Sequence, residues 1–431
     1  MRIIQTDLEN FAKIRKKLKF EYFIAKRLYK ERHRAEEISK PMLKISIAGI
    51  ALGIAVMLIA ISISIGFKNE IQEKITGFSS HIKLINFEMG NPFDTKPIDL
   101  MAPNLDSLWK YPHIKHIQRY INKPAILRAG DNLQAIVFKG VSSDFDSMFI
   151  AKYRVAGKIP QYNDSVLSNE VLISEKLANK LNLNVGDRLP SFFMQKPIRY
   201  RNFVIAGIFK THMEMYDENF MFCDIKQLQK LNGWNTNEVT GLELFIHDFS
   251  ALDEVADDLR YVTATTYGSD EKMLRVMTIK DVSQNIFQWF ELLNTNVYVI
   301  IILMVLVSAT TMITGLLILI LERIRFIGVL KTLGTSNGLI QKIFLIRSGQ
   351  IIGYGLFIGN IIAAILIALQ HYGKIIKLDP ENYYLSVVPA EVSIFWWFFI
   401  NLAIFAAMML IMKIPLRLIT KIEIAETIKK D

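Results

Sequence analysis

Long uncharged runs of apolar residues alternate with polar segments along this chain. A bilayer core about 30 Å thick needs roughly 20 apolar residues in a helix that rises 1.5 Å per residue. Helices of soluble proteins are rarely apolar on every face for so long. Four runs without a charged residue or a proline reach that length and are predicted to be transmembrane helices: 45–67, 297–321, 348–370 and 392–412.

The first two runs are separated by a polar insert, 68–291, which is long enough for one or two compact domains. A short helix is predicted over Glu175–Leu181, an amphipathic helix in SALDEVADDLRYV, and a helix in SQNIFQWFELL that continues into the second run. Alternating apolar and polar positions predict strands in four stretches: HIKLINF, LQAIVFKGV, RNFVIAGIF and GLELFIH. The expected fold class is an α-helical membrane protein with one transmembrane helix, a large α+β extracytoplasmic domain, and then three transmembrane helices.

Lysine and arginine are concentrated in three segments, and this distribution predicts orientation. The head, 1–44, has 13 basic and 6 acidic residues, and the tail, 413–431, has 5 basic and 3 acidic residues. The segment 322–347 has five basic residues and one acidic residue, whereas the loop 371–391 has two basic and three acidic residues. Four spans place head, middle segment and tail together in the cytoplasm, with the insert and the loop outside.

This topology also explains the formal net charge of +10, because basic segments face the anionic inner leaflet. We therefore expect membrane lipids and no nucleic acid as partners. Since 44 residues precede Ile45, the first run is expected to be a retained signal anchor rather than a cleaved signal peptide.

Motifs of catalysis are missing from the sequence. It contains no G-x-x-x-x-G-K-[ST], H-E-x-x-H, C-x-x-C or G-x-S-x-G, so we expect no enzymatic site, no metal and no cofactor bound by this chain. His113 and His116 favour a surface loop or strand edge over a metal site. The stretch Tyr216–Asn219 favours a polar turn over a cation site, and the lone Cys223 favours a buried apolar filler.

The segment 322–347 is predicted to contain a short amphipathic helix beneath the membrane. Its apolar stripe comprises Phe326, Ile327, Leu330 and Leu333. Gly334 is expected to end this helix, and Thr335 or Ser336 to cap the next one. Two interpretations remain open: an ordinary interfacial helix, or a lever pressed into a groove on a cytoplasmic partner. In the third run, the G-x-x-x-G spacing of Gly355 and Gly359 predicts close helix packing.

The stretch LERIRFIGVLKTLGTSNGLIQKIFLIRSGQIIGYG resembles the coupling region of FtsX/MacB-like permeases, the type VII ABC transporters. Their pattern is roughly E-x-x-R-E-I-G-[VI]-L-[RK]-[AT]-L-G-[AM]-[ST]. The chain departs from it at Phe326, where an acidic residue is usual. It matches at Glu322, Arg325, Ile327, Gly328, Val329, Leu330, Lys331, Thr332, Leu333, Gly334, Thr335 and Ser336.

Other stretches resemble the lipoprotein-releasing permeases, the LolC/LolE family. They are FEYFIAKRLYKERH, NEVLISEKLANKLNLNVGDRL, RNFVIAGIFKTHMEMYDENF and LDPENYYLSVVPAEVS. Three places depart from that family: Ser64–Phe67 stands for M-N-G-F, the tail lacks P-A-E-x-L-R around Glu423–Glu426, and Leu189–Arg201 is short where the family can carry a carrier-docking hook.

The resemblance implies a permease subunit that extracts lipoproteins from the inner membrane for delivery to the outer membrane. A separate cytoplasmic ATPase of the LolD type would hydrolyse ATP with Mg. A second permease subunit, identical or paralogous, and a periplasmic lipoprotein carrier are the other implied partners. The alternatives are an FtsX-like regulator of cell-wall hydrolases and a MacB-like exporter of peptides or drugs.

Two sets of residues are expected to serve this function. The ATPase coupling set is Arg325, Ile327, Gly328, Leu330, Lys331, Leu333, Gly334, Ser336 and Leu339. The substrate cavity set, for which packing between helices is the alternative role, is Ile54, Met57, Leu58, Ile61, Met304, Val307 and Thr311.

Overall fold

The computed structural model describes residues 36–86, 96–101, 108, 111–129, 132–163, 165–266 and 274–417. Most of the predicted head, 1–35, and the end of the tail, 418–431, lie outside these residues. The chain divides into two compact units. The domain unit comprises Lys68–Phe290 and Lys377–Val387, and the membrane unit comprises Met1–Phe67, Glu291–Ile376 and Val388–Asp431.

The helices of the described residues are, in chain order, α1 (Glu36–Ser79), α2 (Met148–Lys152), α3 (Glu175–Leu181), α4 (Glu214–Asp217), α5 (Ile225–Asn232), α6 (Leu252–Thr266), α7 (Ile279–Val282), α8 (Gln284–Glu322), α9 (Ile324–Thr332), α10 (Asn337–Gly373), α11 (Pro380–Tyr383), α12 (Ile394–Ile411) and α13 (Lys413–Leu416). The strands are β1 (Ile82–Asn86), β2 (Ile98–Asp99), β3 (Ile114–Ala129), β4 (Asn132–Val141), β5 (Arg154–Gly157), β6 (Glu170–Ser174), β7 (Arg188–Phe193), β8 (Arg199–Phe209), β9 (Phe220–Asp224), β10 (Glu238–Val239), β11 (Gly241–Ile246) and β12 (Leu274–Thr278).

Four helices in the described part of the chain are long and apolar enough to cross a membrane. They are Pro41–Ser79, Gln284–Glu322, Asn337–Gly373 and Ile394–Leu416. The predicted apolar runs fall on α1, α8, α10 and α12. The helix that SQNIFQWFELL was predicted to form is the first part of α8, which confirms that it continues into the second run.

Small residues bring α1 into close contact with its two neighbours in the membrane unit. A Cβ on Gly53 would lie 2.3 Å from Ser308 Oγ on α8. On α10, a Cβ on Gly355 would lie 2.6 Å from Ile50 Cγ2, and one on Gly359 would lie 2.6 Å from the Ala51 carbonyl oxygen. These contacts confirm the close packing predicted from the G-x-x-x-G spacing.

A reciprocal amide pair joins α10 to α12. Asn360 Nδ2 donates to Asn401 Oδ1 at 2.7 Å, and Asn401 Nδ2 donates to Asn360 Oδ1 at 3.0 Å. Each amide also donates to a carbonyl one turn earlier in its own helix. All four side-chain amide N–H groups are therefore hydrogen-bonded inside apolar helices, where an unsatisfied polar group would be costly.

A mixed sheet forms the centre of the domain unit. Its strand order is β12-β1-β11-β3-β4-β9-β6-β8-β5, and β7 pairs with both β3 and β8. The pairs β4–β9 and β6–β8 are parallel, and the other pairs are antiparallel. The predicted strands correspond to β1, β4, β8 and β11, and the predicted helices to α3 and α6, which confirms an α+β domain.

The end of α1 contributes to the core of this domain. Phe78 stacks on Tyr216 with ring centroids 4.8 Å apart and contacts the edge of Phe149 at 5.4 Å. Lys139 Nζ donates to the Phe78 carbonyl oxygen at 2.6 Å, where a cation complements the C-terminal end of a helix. The last turns of α1 are thus fixed within the domain unit by both aromatic packing and charge.

Candidate functional site

The predicted helix of the 322–347 segment is α9, and it ends as expected. The Gly334 N–H donates to the Lys331 carbonyl oxygen and the Thr335 N–H to the Leu330 carbonyl oxygen, both at 3.0 Å. This bond pattern requires a left-handed residue after the helix, and Gly334 supplies it with φ +80°. Ser336 then occupies the N-cap position of α10. A short helix, a glycine stop and a second helix were all predicted from the sequence.

The apolar stripe of α9 is divided between two environments. Ile327 is fully buried in the core of the membrane unit, and Leu330 packs against the same core. Leu333 is 76% exposed. Val329, which was not part of the predicted stripe, is 56% exposed. One face of α9 is therefore anchored in the core, while Val329 and Leu333, the residue that follows the helix, remain accessible.

The other coupling residues differ in exposure. Gly328 is buried, and Lys331 and Leu339 are half-buried. Arg325, Gly334 and Ser336 are exposed and lie on the same short connection between α8 and α10. The predicted coupling residues therefore lie close together in sequence, and only some of them are exposed.

The predicted cavity residues lie mainly inside the membrane unit. Ile54, Met57 and Leu58 of α1 are buried in its core, and Met304 packs against that core. Ile61 and Thr311 are half-buried, whereas Val307 of α8 is exposed. Thr311 Oγ1 donates to the Val307 carbonyl oxygen at 2.8 Å, so its hydroxyl is satisfied within α8. In this conformation most of the set packs between helices rather than lining an open cavity.

An apolar cavity of about 400 Å³ lies elsewhere in the membrane unit, between the end of α10 and the start of α12. Small side chains make room for it on α10, and aromatic side chains border it. Residues that line it include Ala364, Ile367, Ala368, Tyr372, Val392 and Trp397. The sequence of one helix cannot predict this cavity, because its walls come from two helices, α10 and α12.

The domain unit contains a buried ionic cluster that sequence reasoning missed. Glu243 of β11 accepts from Lys139 at 2.7 Å and from Gln118 at 2.7 Å, and lies 3.5 Å from Lys83. Burial alone would raise the pKa of the Glu243 carboxyl, but the two lysines hold that pKa below its usual value. Burial lowers the pKa of Lys83 to about 8 against the opposing effect of Glu243. The residues come from four different strands, β1, β3, β4 and β11, so spacing along the chain could not indicate the cluster.

The remaining predictions on chemical groups concern the domain unit. No group of His, Cys, Asp or Glu residues suited to a metal occurs among the residues that the structure describes. His113 is exposed, and His116 lies on β3 with Nε2 2.7 Å from the Asp144 carbonyl oxygen. Cys223 is fully buried in the apolar core, and burial raises the pKa of its thiol, which confirms the predicted filler role.

The acidic stretch Tyr216–Asn219 is a helical turn that leads into β9. Asp217 accepts from the Thr211 and His212 N–H groups at 3.1 and 3.0 Å and from Thr211 Oγ1 at 2.6 Å. Burial raises the pKa of its carboxyl, although these hydrogen bonds oppose that effect. The polar turn predicted here is confirmed, and its role is to fix the backbone that follows β8.

Two family models match the chain. The MacB-like periplasmic core domain matches residues 45–262, which is about half of the chain, and the FtsX-like permease C-terminal region matches residues 298–424. This chain belongs to the FtsX/MacB-like permeases of ABC transporters. Proteins of this family are subunits of ABC transporters, so an ATPase partner is implied, and the four apolar helices identify a membrane protein.

Curated relatives are similar over most of their length. The lipoprotein-releasing system transmembrane protein LolC of Xylella fastidiosa is 23% identical over 359 residues, which covers 80% of this chain and 81% of the relative. LolE of Haemophilus influenzae is 23% identical over 390 residues, which covers 85% and 88%. The crystal structure of the periplasmic region of MacB from Actinobacillus actinomycetemcomitans aligns with 49% of this chain and 95% of that region at 13% identity, with a TM-score of 0.35.

Proposed function

We propose that this chain is the permease subunit of an ABC transporter that extracts lipoproteins from the inner membrane for delivery to the outer membrane. The observation that carries the proposal is the extent of its likeness to the lipoprotein-releasing subunits. These relatives align with at least 80% of the chain, which exceeds the domain unit and therefore includes membrane helices.

Extraction of a lipoprotein requires an external source of energy. Each CH₂ group removed from an apolar environment costs about 0.8 kcal/mol, so three acyl chains cost tens of kcal/mol. We infer that a separate cytoplasmic ATPase of the LolD type supplies this energy by hydrolysing ATP with Mg. The chain described here would bind no cofactor and have no enzymatic activity of its own.

Coupling to that ATPase is assigned to α9 and the turn after it. Val329 on α9 and Leu333, which directly follows α9, are exposed apolar residues, which suits insertion into a groove of the partner. Ile327 and Leu330 would transmit the force, because they pack in the core of the membrane unit. Five further residues of the predicted coupling set would surround this contact: Arg325, Lys331, Gly334, Ser336 and Leu339.

The proposed topology has one transmembrane helix before the domain and three after it, in the inner membrane. The basic head, the 322–347 segment and the tail would lie in the cytoplasm. The large domain would lie in the periplasm. A chain that binds a cytoplasmic ATPase and a periplasmic substrate needs both surfaces, and this arrangement provides them.

A second permease subunit, identical or paralogous, would complete the substrate site. We infer that it approaches the exposed aliphatic face of α8, which includes Val307. Ile54, Met57 and Leu58 would contact acyl chains only if α1 moved away from its neighbours. The extracted lipoprotein would pass to a periplasmic carrier. The β7–β8 connection, 194–198, offers this carrier a short hairpin rather than a long hook.

The proposal is tested by reconstituting the chain and a LolD-type ATPase in proteoliposomes with a triacylated lipoprotein. We expect ATP-dependent release by the wild type. Leu333→Asp should lower release at least about tenfold, because a charge would be buried in the contact. The matched control is Leu133→Asp, which changes a similarly exposed leucine in the domain unit and should leave release unchanged.

Two further results decide the proposal. A cysteine at Ser336 should form a nucleotide-sensitive cross-link to the ATPase. Absence of any ATP-dependent release by the wild type would overturn lipoprotein extraction, and absence of a nucleotide-sensitive adduct would overturn the assigned coupling site.

A further inference from the structure

Lys74 joins three segments of the domain unit that are far apart in sequence. Its side chain, on the last turns of α1, is only 3% exposed. Lys74 Nζ donates to the Thr211 carbonyl oxygen at 2.9 Å and to the Tyr384 carbonyl oxygen at 2.8 Å. Thr211 follows β8, and Tyr384 lies in the connection between α10 and α12. A single ammonium group thus binds α1, the sheet and this connection.

The two acceptor carbonyls are held in place by unusual backbone conformations. Tyr384 has φ +59°, and His212, directly after Thr211, has φ +62°. Residues other than glycine rarely adopt this left-handed region, which costs about 1 kcal/mol or more. Asp217 supports the first site through the Thr211 and His212 N–H groups. The Tyr384 N–H supports the second site by donating to the Pro380 carbonyl oxygen at 3.0 Å.

Main-chain carbonyls, rather than a carboxylate, bind this lysine in the part of the chain that the structure describes. Glu73, one residue earlier, pairs instead with Lys152 at 2.6 Å, and both of those side chains are 54% exposed. Tyr153 presents its ring 5.5 Å from Lys74 Nζ. Burial of an ammonium group costs free energy unless its hydrogen bonds are made. Loss of the Tyr384 contact would therefore leave a buried N–H of Lys74 without an acceptor and destabilise the fold.

The connection that carries Tyr384 belongs to the domain unit, although it links two membrane helices. Residues Lys377–Val387 group with the domain. Within this segment, the Leu378 N–H donates to the Ser386 carbonyl oxygen at 3.0 Å, and Leu385 is 1% exposed. The segment that connects α10 to α12 along the chain is therefore packed into the domain.

We propose that Lys74 is a positioning residue that ties the α10–α12 connection to α1 and the sheet, so that displacement of these two membrane helices moves the domain. This role deepens the proposed function and rests on it. In this role Lys74 would act through the backbone of Tyr384 and Thr211, to whose carbonyl oxygens it donates, and not on the substrate or the ATPase directly.

The test uses the full chain with a LolD-type ATPase in lipid nanodiscs. Spin labels are placed on cysteines at Lys180 and Ser386, two exposed positions of the domain unit, while native Cys223 is buried. Wild type and Lys74→Arg should give a narrow distance distribution, because the guanidinium retains several donors. Lys74→Met should broaden the distribution at least about twofold, since it removes both hydrogen bonds but keeps the bulk.

The second readout is stimulation of ATP hydrolysis by a triacylated lipoprotein. Lys74→Met should lower stimulation at least about tenfold, because it removes two hydrogen bonds donated by a charged group, without changing the basal rate. Lys74→Arg should restore most of it. The matched control is Lys152→Met, which removes an exposed ion pair to the same part of α1 and should leave both readouts unchanged.

Each result bears on the proposal. An unchanged distance distribution in Lys74→Met overturns the tie, and a broadened distribution with full stimulation overturns its role in coupling. Lys74→Gln takes the place of the methionine variant if the latter does not fold. If lipoprotein fails to stimulate even the wild-type complex, the proposed function fails, while the distance measurement still decides whether the tie exists.

Discussion

His81 lies immediately before β1, with its ring 5.8 Å from that of Phe245 and 5.9 Å from that of Phe249. The Ile246 N–H donates to His81 Nδ1 at 3.4 Å, so this nitrogen acts as an acceptor in the folded protein. Burial, assisted by the nearby charge of Lys115, lowers the pKa of the ring to about 4. The folded domain therefore favours the neutral form of His81.

A pH dependence of stability follows from this shift. Between about pH 6.5, the ordinary pKa of histidine, and about pH 4, the unfolded chain binds more protons than the folded chain. Acidification through this window should therefore lower the free energy of unfolding, by up to about 3 kcal/mol, whereas no loss is expected above it. The measurement is denaturant unfolding of the full chain in detergent at pH 7.5 and pH 5.

The matched variants are His81→Gln and His113→Gln. His81→Gln should flatten the dependence on pH, and His113→Gln, at an exposed position, should retain the wild-type slope. Equal slopes in all three proteins would refute the assignment to His81.

Individual residues were predictable only where their neighbours in sequence decide their environment. Gly334 and Cys223 are of this kind, because a helix stop and an apolar strand are local patterns. The contacts of Lys74 and Glu243 are not, since their partners lie more than 100 residues away along the chain. A charged residue in an apolar stretch indicates that its burial costs free energy, but the sequence does not show which carbonyl or charged group offsets that cost.

At the level of elements, the seam between α1 and α10 depends on glycine. Gly359→Ala would place a Cβ 2.6 Å from the Ala51 carbonyl oxygen and 3.0 Å from Ile54 Cβ, so one helix must move. We expect a loss of about 1–3 kcal/mol in stability, which exceeds the intrinsic gain of alanine over glycine in a helix. Thermal unfolding of the full chain in detergent measures this loss.

The same helix contains a control for that substitution. Gly353 has no atom within 4 Å of an added Cβ. Gly353→Ala should therefore keep or slightly raise the unfolding temperature, because only the helix propensity changes. Equal unfolding temperatures for the Gly359 and Gly353 variants would show that the seam tolerates separation.

The four apolar helices were predictable because a helix that is apolar on all faces produces a continuous apolar run in the sequence. The helix α9 and several strands were predictable because an apolar face on one side produces a period. The division of the α9 stripe was not. A period identifies an apolar face without identifying the surface that covers it, and α9 presents Ile327 to its own unit but Leu333 to the exterior. Similarly, the apolar period left two roles open for Met57, a cavity wall or packing between helices, and in this structure it is buried between helices.

On the scale of the whole molecule, the chain passes between the two units four times. The passages follow Phe67, Phe290, Ile376 and Val387. The first two bound an insert whose polar composition was evident in the sequence. The last two bound a segment of eleven residues that was predicted only as a periplasmic loop, because so short a stretch has no pattern that assigns it to a distant domain.

The proposed topology makes a prediction that needs no knowledge of substrate. Cysteines at Lys180 and Ser386, in the domain unit, should react with a membrane-impermeant maleimide in spheroplasts. A cysteine at Gly338, at the start of α10 and exposed, should react only after permeabilisation. The physical reason is the charge asymmetry: the segment 322–347 has five basic residues and one acidic residue, and such segments remain in the cytoplasm. Labelling of Gly338→Cys in intact spheroplasts, at the rate found for Lys180→Cys, would place α9 outside and leave the ATPase without a surface to bind.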